Sequence, residues 1–441
     1  MDEPKKHWGQ FDPLDAAPVI VCEHTATGWR GLTEDGEIFN VHAHVNGAPV
    51  LIPDRLAVMQ GDLIVGHRAV NNEPNDDGVI ADYIRHLDAA TALLRQNDPE
   101  RALAEIDVAL VCARTALARY NRAMILLHLG RWQEGFDEFA YCEMTSPLFM
   151  RPQYADAIKA GLKPWLGEDI AGKKLLLIHD HGFGDSIMGL RFVSQLHDIG
   201  AEVVLQMPPA LERLAAQIAP VTRDLVDADY VCSILLLTGL IADQCFRYVG
   251  KGGDYSFDED GPYLQVQADL RDKWREYLGA AERKRIGIAW SVGVPHGDDY
   301  PRSIPLGQMC RALEQEGSLF AVQQMDEQMR RYVEDYVGPR RSGYIAPDEG
   351  GVRHYFFDDF ADCAAFMSCM DEIVTVDTAA AHLAGAIGHP RVTLLLSHWA
   401  SWRWQLPLYP NVRICRQDRP GDWESAFAAR HFTNRLAGPA G

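Results

Sequence analysis

The sequence is short of paired cysteines, of long apolar runs and of basic charge, and each shortage excludes something. Its nine cysteines are scattered, odd in number and free of any C-x-x-C pair, so neither a disulfide framework nor a zinc site is indicated. They read as reduced, mostly buried thiols. No stretch approaches the ~20 apolar residues of a membrane-spanning helix, and Met1 to His7 lacks the apolar core of a signal peptide. A cytoplasmic location is the expectation. Basic side chains number 42 against 62 acidic ones, a formal charge of -20. That excess argues against nucleic acid as a partner, because no broad phosphate-tracking surface can form, but it allows a local cationic pocket for a small anion.

What is present is the balance of a folded chain, 47% apolar and 24% charged. A length of 441 residues, at roughly 100 to 200 residues per domain, points to about three units. From Pro18 to Val70, short apolar runs alternate with Gly, Asp and Asn turns, which predicts a small β-rich accessory unit over residues 1–75. His42 and His44 share one strand face there, but no third ligand is near and a metal site is not expected.

Residues 80–160 show helical periodicity, broken at Asn97-Asp98-Pro99 and at Gly130, so two helical hairpins are implied. The segment from Ala118 to Phe139, with small Ala and Gly at helix contacts, resembles a tetratricopeptide repeat. Plain packing helices are the alternative. Beyond Pro164-Trp165-Leu166-Gly167, strands alternate with helices in two series. The first, over residues 170–265, includes Lys174 to His179 and Glu202 to Gln206. The second, over 283–430, includes Arg285 to Trp290, Leu319 to Gln323, Glu372 to Val376 and Val392 to Leu396. The fold class is therefore α/β, with two Rossmann-like lobes facing a cleft.

Two strand–turn–helix junctions carry the chemistry. The strand Leu175 to Ile178 runs into Gly182-Phe183-Gly184-Asp185, where glycines permit close backbone approach and Asp185 projects from a first helical turn. An Asp at that position also stabilises a helix through its dipole, so the motif alone decides little. The strand Glu372 to Val376 is followed by Asp377-Thr378-Ala379-Ala380-Ala381-His382, a polar cap and a small-residue helix. Free N–H groups at such a terminus can hold a diphosphate, Thr378 can donate its hydroxyl, and Ala379 and Ala380 leave room. Asp377 opens the same turn, and His382 either adds a proton donor or packs against the sheet.

Four blocks together resemble the heptosyltransferase-like family 9 glycosyltransferases of GT-B fold, in particular bacterial members with tetratricopeptide repeats ahead of the transferase. They are Gly182 to Ile187; Gly287 to Ser291 with Arg302 to Leu306; Asp359 to Asp362; and Val376 to Ala386. Ser401-Trp402-Arg403-Trp404 and Arg419 to Trp423 belong to the same resemblance, which covers about residues 85–430.

The resemblance implies an inverting transferase that needs no metal and no cofactor beyond the nucleotide-sugar it consumes. Asp185 matches the family's catalytic base. Arg302 falls where a basic residue meets the donor phosphates, alongside Thr378, Ala379, Ala380 and His382. Trp290, Ser291, Gln324, Asp362 and Asp377 are candidates for the nucleotide pocket. His181, Gly182 and Gly184 are candidates for the acceptor side. Against these stand plainer roles: Trp290 as a core aromatic, Asp362 as a helix cap, Arg302 in a surface ion pair. His181, Phe183 and Val292-Gly293-Val294 depart from the family pattern.

Helical repeats commonly bind peptides, so the expected acceptor is a protein such as flagellin or another surface protein, or else a glycan, met through the repeat module. A homo-oligomer is compatible with the sequence. The rival readings are a catalytically silent scaffold and a nucleotide-sugar epimerase or hydrolase on the same fold.

Overall fold

The structure is a computed structural model that describes residues 19–25, 28–33, 38–45, 48–52, 55–60, 63–69, 76–112, 115–145, 151–179, 182–240, 261–292, 302–323, 351–399, 401–406 and 408–432. The chain divides into two compact units, Met1–Lys159 and Ala160–Gly441.

Among the described residues the first unit opens with six strands: β1 (Val19–Thr25), β2 (Gly28–Thr33), β3 (Ile38–Val45), β4 (Ala48–Ile52), β5 (Arg55–Gln60) and β6 (Leu63–Ala69). β1 to β4 form an antiparallel meander and β5 and β6 a hairpin. Five helices follow: α1 (Asp76–Arg95), α2 (Pro99–Cys112), α3 (Ala116–His128), α4 (Trp132–Thr145) and α5 (Pro152–Lys159).

Their breaks fall where the backbone demands them. Asn97 adopts φ 59° just before Pro99 opens α2, and Gly130 adopts φ 70° between α3 and α4. Tyr83, Ile106, Ala109, Ala118 and Ile125 form the core of the helix pairs, and the buried Tyr83 hydroxyl is satisfied by Thr115 Oγ1 at 2.6 Å. α3 and α4 approach closely because Gly135 has no side chain; a Cβ there would lie 2.7 Å from Leu127. These pairs are consistent with tetratricopeptide-like repeats.

The second unit contains two five-stranded sheets. In its N-terminal lobe, β7 (Lys163–Pro164), β8 (Lys174–Ile178), β9 (Glu202–Gln206), β10 (Val221–Thr222) and β11 (Tyr230–Ser233) lie in the order β10-β9-β8-β11-β7, all parallel. Among the described residues the helices of this lobe are α6 (Phe183–Leu190), α7 (Val193–Asp198), α8 (Pro209–Ala215) and α9 (residues 234–240).

The C-terminal lobe begins with α10 (Ala268–Leu278) and continues through β12 (Arg285–Ala289), α11 (Leu306–Leu313), β13 (Ser318–Ala321), α12 (Phe360–Met367), β14 (Glu372–Val376), α13 (Ala379–Ala386), β15 (Val392–Leu396), β16 (Val412–Arg416) and α14 (Trp423–Phe432). Its strand order is β13-β12-β14-β15-β16, again all parallel.

β14 and β15 are buried along their whole length, as strands covered by helices on both faces must be, and they are correspondingly apolar. Ile286, Ile288, Met309, Leu313, Val374, Leu395 and Phe427 build the core beside them. Two parallel sheets of this kind, each with a strand–turn–helix junction at its carboxyl edge, make two Rossmann-like lobes. α10 belongs to the C-terminal lobe rather than to a bare joint, since Trp274 packs edge-on against Phe366 at 4.9 Å.

Candidate active site

The carboxyl edge of β8 delivers α6, and that of β14 delivers α13. The two helices meet at their N-termini. Gly184 makes the meeting possible, because a Cβ on it would lie 2.9 Å from His382 Cδ2 and 3.4 Å from Ala379 Cα. Gly182 serves as N-cap of α6 with extended backbone (φ -113°, ψ 164°).

Asp185 has two duties there. Its Oδ2 accepts the Gly182 N–H at 3.2 Å and so caps the helix, while its Oδ1 accepts a hydrogen bond from Arg403 Nε at 2.5 Å. The cap contact engages one carboxylate oxygen of Asp185 and the contact with Arg403 the other. His179, at the end of β8, bonds Ser186 Oγ at 2.7 Å and stacks on Phe183.

On the other lobe, Thr378 is the N-cap of α13 but places no side-chain hydrogen bond on the first-turn N–H groups. Its hydroxyl lies 3.4 Å from Thr375 Oγ1. Helix N–H groups left without a side-chain cap, with only small Ala379 and Ala380 beside them, are the arrangement that holds anionic oxygens. Asp377, immediately before, is 7% exposed. Its Oδ1 accepts Trp404 Nε1 at 2.7 Å, and its Oδ2 faces Arg302 Nη1 at 3.8 Å. Arg302, 27% exposed, therefore stands in an ion pair with the buried carboxylate that opens the α13 turn.

Behind this front runs a buried polar chain. The His382 ring stacks on Trp404 at 4.5 Å, and its Nδ1 meets the Tyr409 hydroxyl at 3.1 Å. The Tyr409 hydroxyl lies 3.3 Å from that of Tyr263, which donates to the Ile187 carbonyl at 2.8 Å. The Arg191 guanidinium lies over both tyrosine rings, at 4.6 and 5.2 Å, and donates to the Leu408 carbonyl. Burial pushes His382 down to about 4, against a weaker pull upward from Asp377 and Asp185. Its imidazole is neutral at physiological pH and makes its contacts as a neutral ring.

The remaining expected positions divide. Trp290 is a core residue, 7% exposed and edge-on to His354. Its backbone N–H and that of Ser291 both donate to Gln323 Oε1, at 3.0 and 3.3 Å, while Gln323 Nε2 donates to Ser291 Oγ at 3.1 Å. Gln323 thus closes the edge of β12 and β13; Gln324 and His181 lie outside the described residues.

Asp362 is 1% exposed and faces the interior of its own lobe. It accepts Trp274 Nε1 at 2.8 Å and the Asp358 N–H at 3.2 Å. Asp359 is the cap of α12, and it also receives both Arg213 Nε and Nη2 at 2.7 Å. This pair joins α8 of the N-terminal lobe to α12 of the C-terminal lobe.

The residues that sequence reasoning left without a role are Arg403, Trp404, Tyr409, Tyr263 and Gln323. Arg403 and Trp404 sit on a single turn of 3₁₀ helix, Trp402–Gln405, capped by Ser401. The only signal for them was the Ser401 to Trp404 block itself. Among the described residues there is no group of three or more His, Cys, Asp or Glu placed to hold a metal ion, and no helix long and apolar enough to cross a membrane.

No family model matches the chain. Protein FlbA of Caulobacter vibrioides is 25% identical over 376 residues, which is 76% of this chain and 58% of that protein. The chain therefore spans somewhat under two thirds of the length of this curated relative. Among solved structures, the Escherichia coli ADP-heptose LPS heptosyltransferase II is matched at 13% identity and a TM-score of 0.38, over 60% of this chain and 100% of that one. A family 9 glycosyl transferase from Veillonella parvula is matched at 10% identity and a TM-score of 0.36, over 63% and 92%. A Thermobaculum terrenum O-GlcNAc transferase variant is matched at 12% identity and a TM-score of 0.29, over 82% and 84%.

Proposed function

We propose that the chain is an inverting glycosyltransferase that moves a sugar from a nucleotide-sugar to a hydroxyl group of a protein acceptor. The observation that carries this reading is the meeting of Asp185 with the N-terminus of α13, across Gly184 and Arg403. A proton acceptor and an anion cradle then face one reacting centre from two lobes.

The diphosphate of the donor lies on the first-turn N–H groups of α13, with the Thr378 hydroxyl and Arg302 on its flank. The acceptor hydroxyl attacks the anomeric carbon from the side opposite the phosphate. The new C–O bond forms as the old one breaks, the hydroxyl proton passes to Asp185, and the configuration inverts. Negative charge growing on the leaving diphosphate meets Arg302 and the helix terminus, so protein groups supply the stabilisation and a metal is not required. Neutral His382 holds Trp404 in place beneath Asp377 and takes no proton from the reaction.

A protein acceptor, flagellin or another surface protein, fits the helix pairs of the first unit, since helical repeats bind peptide segments. The charge of -20 disfavours docking on an anionic lipid surface.

Calorimetric titration with ADP, UDP, GDP and CMP, each with and without magnesium, tests the donor site. One nucleotide is expected to bind without the metal and to lose about tenfold in affinity in Arg302→Ala. Asp185→Asn is expected to abolish sugar transfer, read by intact-protein mass of the acceptor, while nucleotide binding persists. Absence of binding by every nucleotide would refute the reading.

A further inference from the structure

The proposed chemistry leaves one contact unexplained. The carboxylate assigned to accept a proton already accepts two hydrogen bonds, from Arg403 Nε at 2.5 Å and from the Gly182 N–H at 3.2 Å. The first is charge-assisted and nearly buried, with 13% of the Asp185 side chain and 19% of the Arg403 side chain exposed. A carboxylate oxygen engaged by a guanidinium in this way is not open to an acceptor hydroxyl.

Three features point to where Arg403 can go. It shares a turn with Trp404, whose Nε1 is fixed on Asp377 beside the N-terminus of α13. Its guanidinium lies over the Trp402 ring at 4.8 Å, a flat surface along which it can shift without losing contact. Its Nη1 donates to Ser401 Oγ at 3.0 Å, a partner on the same turn that moves with it. The charges close the argument. Arg403 faces Asp185 and Arg302 faces Asp377, so an arriving diphosphate gains a guanidinium most directly by drawing one away from an aspartate.

Resting on the donor site proposed above, we propose that Arg403 is a positioning residue handed from Asp185 to the donor diphosphate, so that the base is released for the acceptor only when the donor is in place. Donor binding then precedes productive acceptor binding.

A double-mutant cycle on nucleotide affinity tests this, using whichever of ADP, UDP or GDP binds the wild-type chain, and the matching nucleoside as a control without phosphates. Arg403→Ala is expected to weaken the diphosphate about tenfold. Asp185→Asn, which no longer holds the guanidinium, is expected to tighten it about fivefold. Asp185→Asn/Arg403→Ala is expected to bind like Arg403→Ala alone, and the nucleoside to be insensitive throughout.

A gain from Asp185→Asn that persists in the Arg403→Ala background is relief of charge repulsion and overturns the handover, as does an Asp185→Asn variant that binds no tighter. If Arg403→Ala does not fold by its melting curve, Arg403→Gln takes its place in the cycle with the same expectations. Failure of every nucleotide to bind wild type overturns the donor site and the handover together; binding with an additive cycle overturns the handover alone.

Discussion

Replacing Gly184 with alanine tests the geometry on which both proposals depend. The new Cβ would lie 2.9 Å from His382 Cδ2 and 3.4 Å from Ala379 Cα, whereas carbon atoms pack best at about 3.5 to 4.0 Å. His382 cannot retreat cheaply. It is 3% exposed, stacked on Trp404 at 4.5 Å and bonded to the Tyr409 hydroxyl at 3.1 Å. Overpacking a site of this kind costs about 1–3 kcal/mol, and the better helix propensity of alanine returns at most about 1 kcal/mol.

A net loss of about 1 kcal/mol is expected, read as a lower urea midpoint with an unchanged slope. Nucleotide affinity should fall further, by about tenfold, because the methyl group stands over the first turn of α13, the proposed seat of the diphosphate. In a His382→Ala background the ring is gone, and the stability cost of Gly184→Ala should shrink. If Gly184→Ala is as stable as wild type and binds nucleotide as tightly, the close approach of α6 and α13 does not exist in solution and the site as described falls.

At the opposite edge of the C-terminal sheet, Arg430 bridges Glu316 and Glu372, with Lys284 also on Glu372. Arg430→Met leaves Glu372, whose side chain is 10% exposed, with Lys284 as its cation, and should cost about 1–3 kcal/mol by urea denaturation at neutral pH. Burial works to raise the Glu372 carboxyl, but the bonds from Lys284 and Arg430 outweigh it and hold it below its usual value. Its contribution is present above the ordinary carboxylate range and is lost as pH falls through the lowered folded value; in Arg430→Met that acid-side loss should be reduced.

Burial holds His382 and His354 down to about 4. Their ring NMR signals should therefore stay in the neutral form from pH 8 to about 5. The unfolded chain protonates them near 6.5, so wild-type stability should fall as pH drops from about 6.5 to about 4; His354→Asn should lessen that slope.

Asp359 both caps α12 and grips Arg213. Asp359→Ser, which keeps a cap, should lose less than about 1 kcal/mol. Asp359→Ala should lose about 1 kcal/mol more, with thermal melts separating the two.

The sequence made the centre of each lobe legible because buried parallel strands are continuous apolar runs ending in turns. Glu372 to Val376 and Val392 to Leu396 are buried throughout for that reason. The helix breaks were legible because Asn97, Pro99 and Gly130 act locally on the backbone. The edges of the N-terminal sheet were not: β7 and β10 are two residues long, too short for any periodicity. From Val231 to Leu240 the chain is nearly unbroken apolar sequence, in which strand β11 and helix α9 share one pattern.

The site divides along the same physical line. Asp185 and the Thr378 turn stand where a strand becomes a helix, a junction written in adjacent residues. Arg403 finds its partner 218 residues away, and Tyr409 meets Tyr263 across 146. Nothing in local spacing encodes such pairs. Asp362 shows the converse, since a first-turn aspartate after Asp359 reads as a cap or a ligand, and only the fold brings Trp274 to it. Positions set by backbone geometry at a strand–helix junction were therefore named from sequence, whereas side chains that reach across from the other lobe were not. Arg403 is of the second kind. Its pair with Asp185 exists only because the two lobes meet, so the contact on which the proposed handover turns is also the part of the site least legible in the sequence.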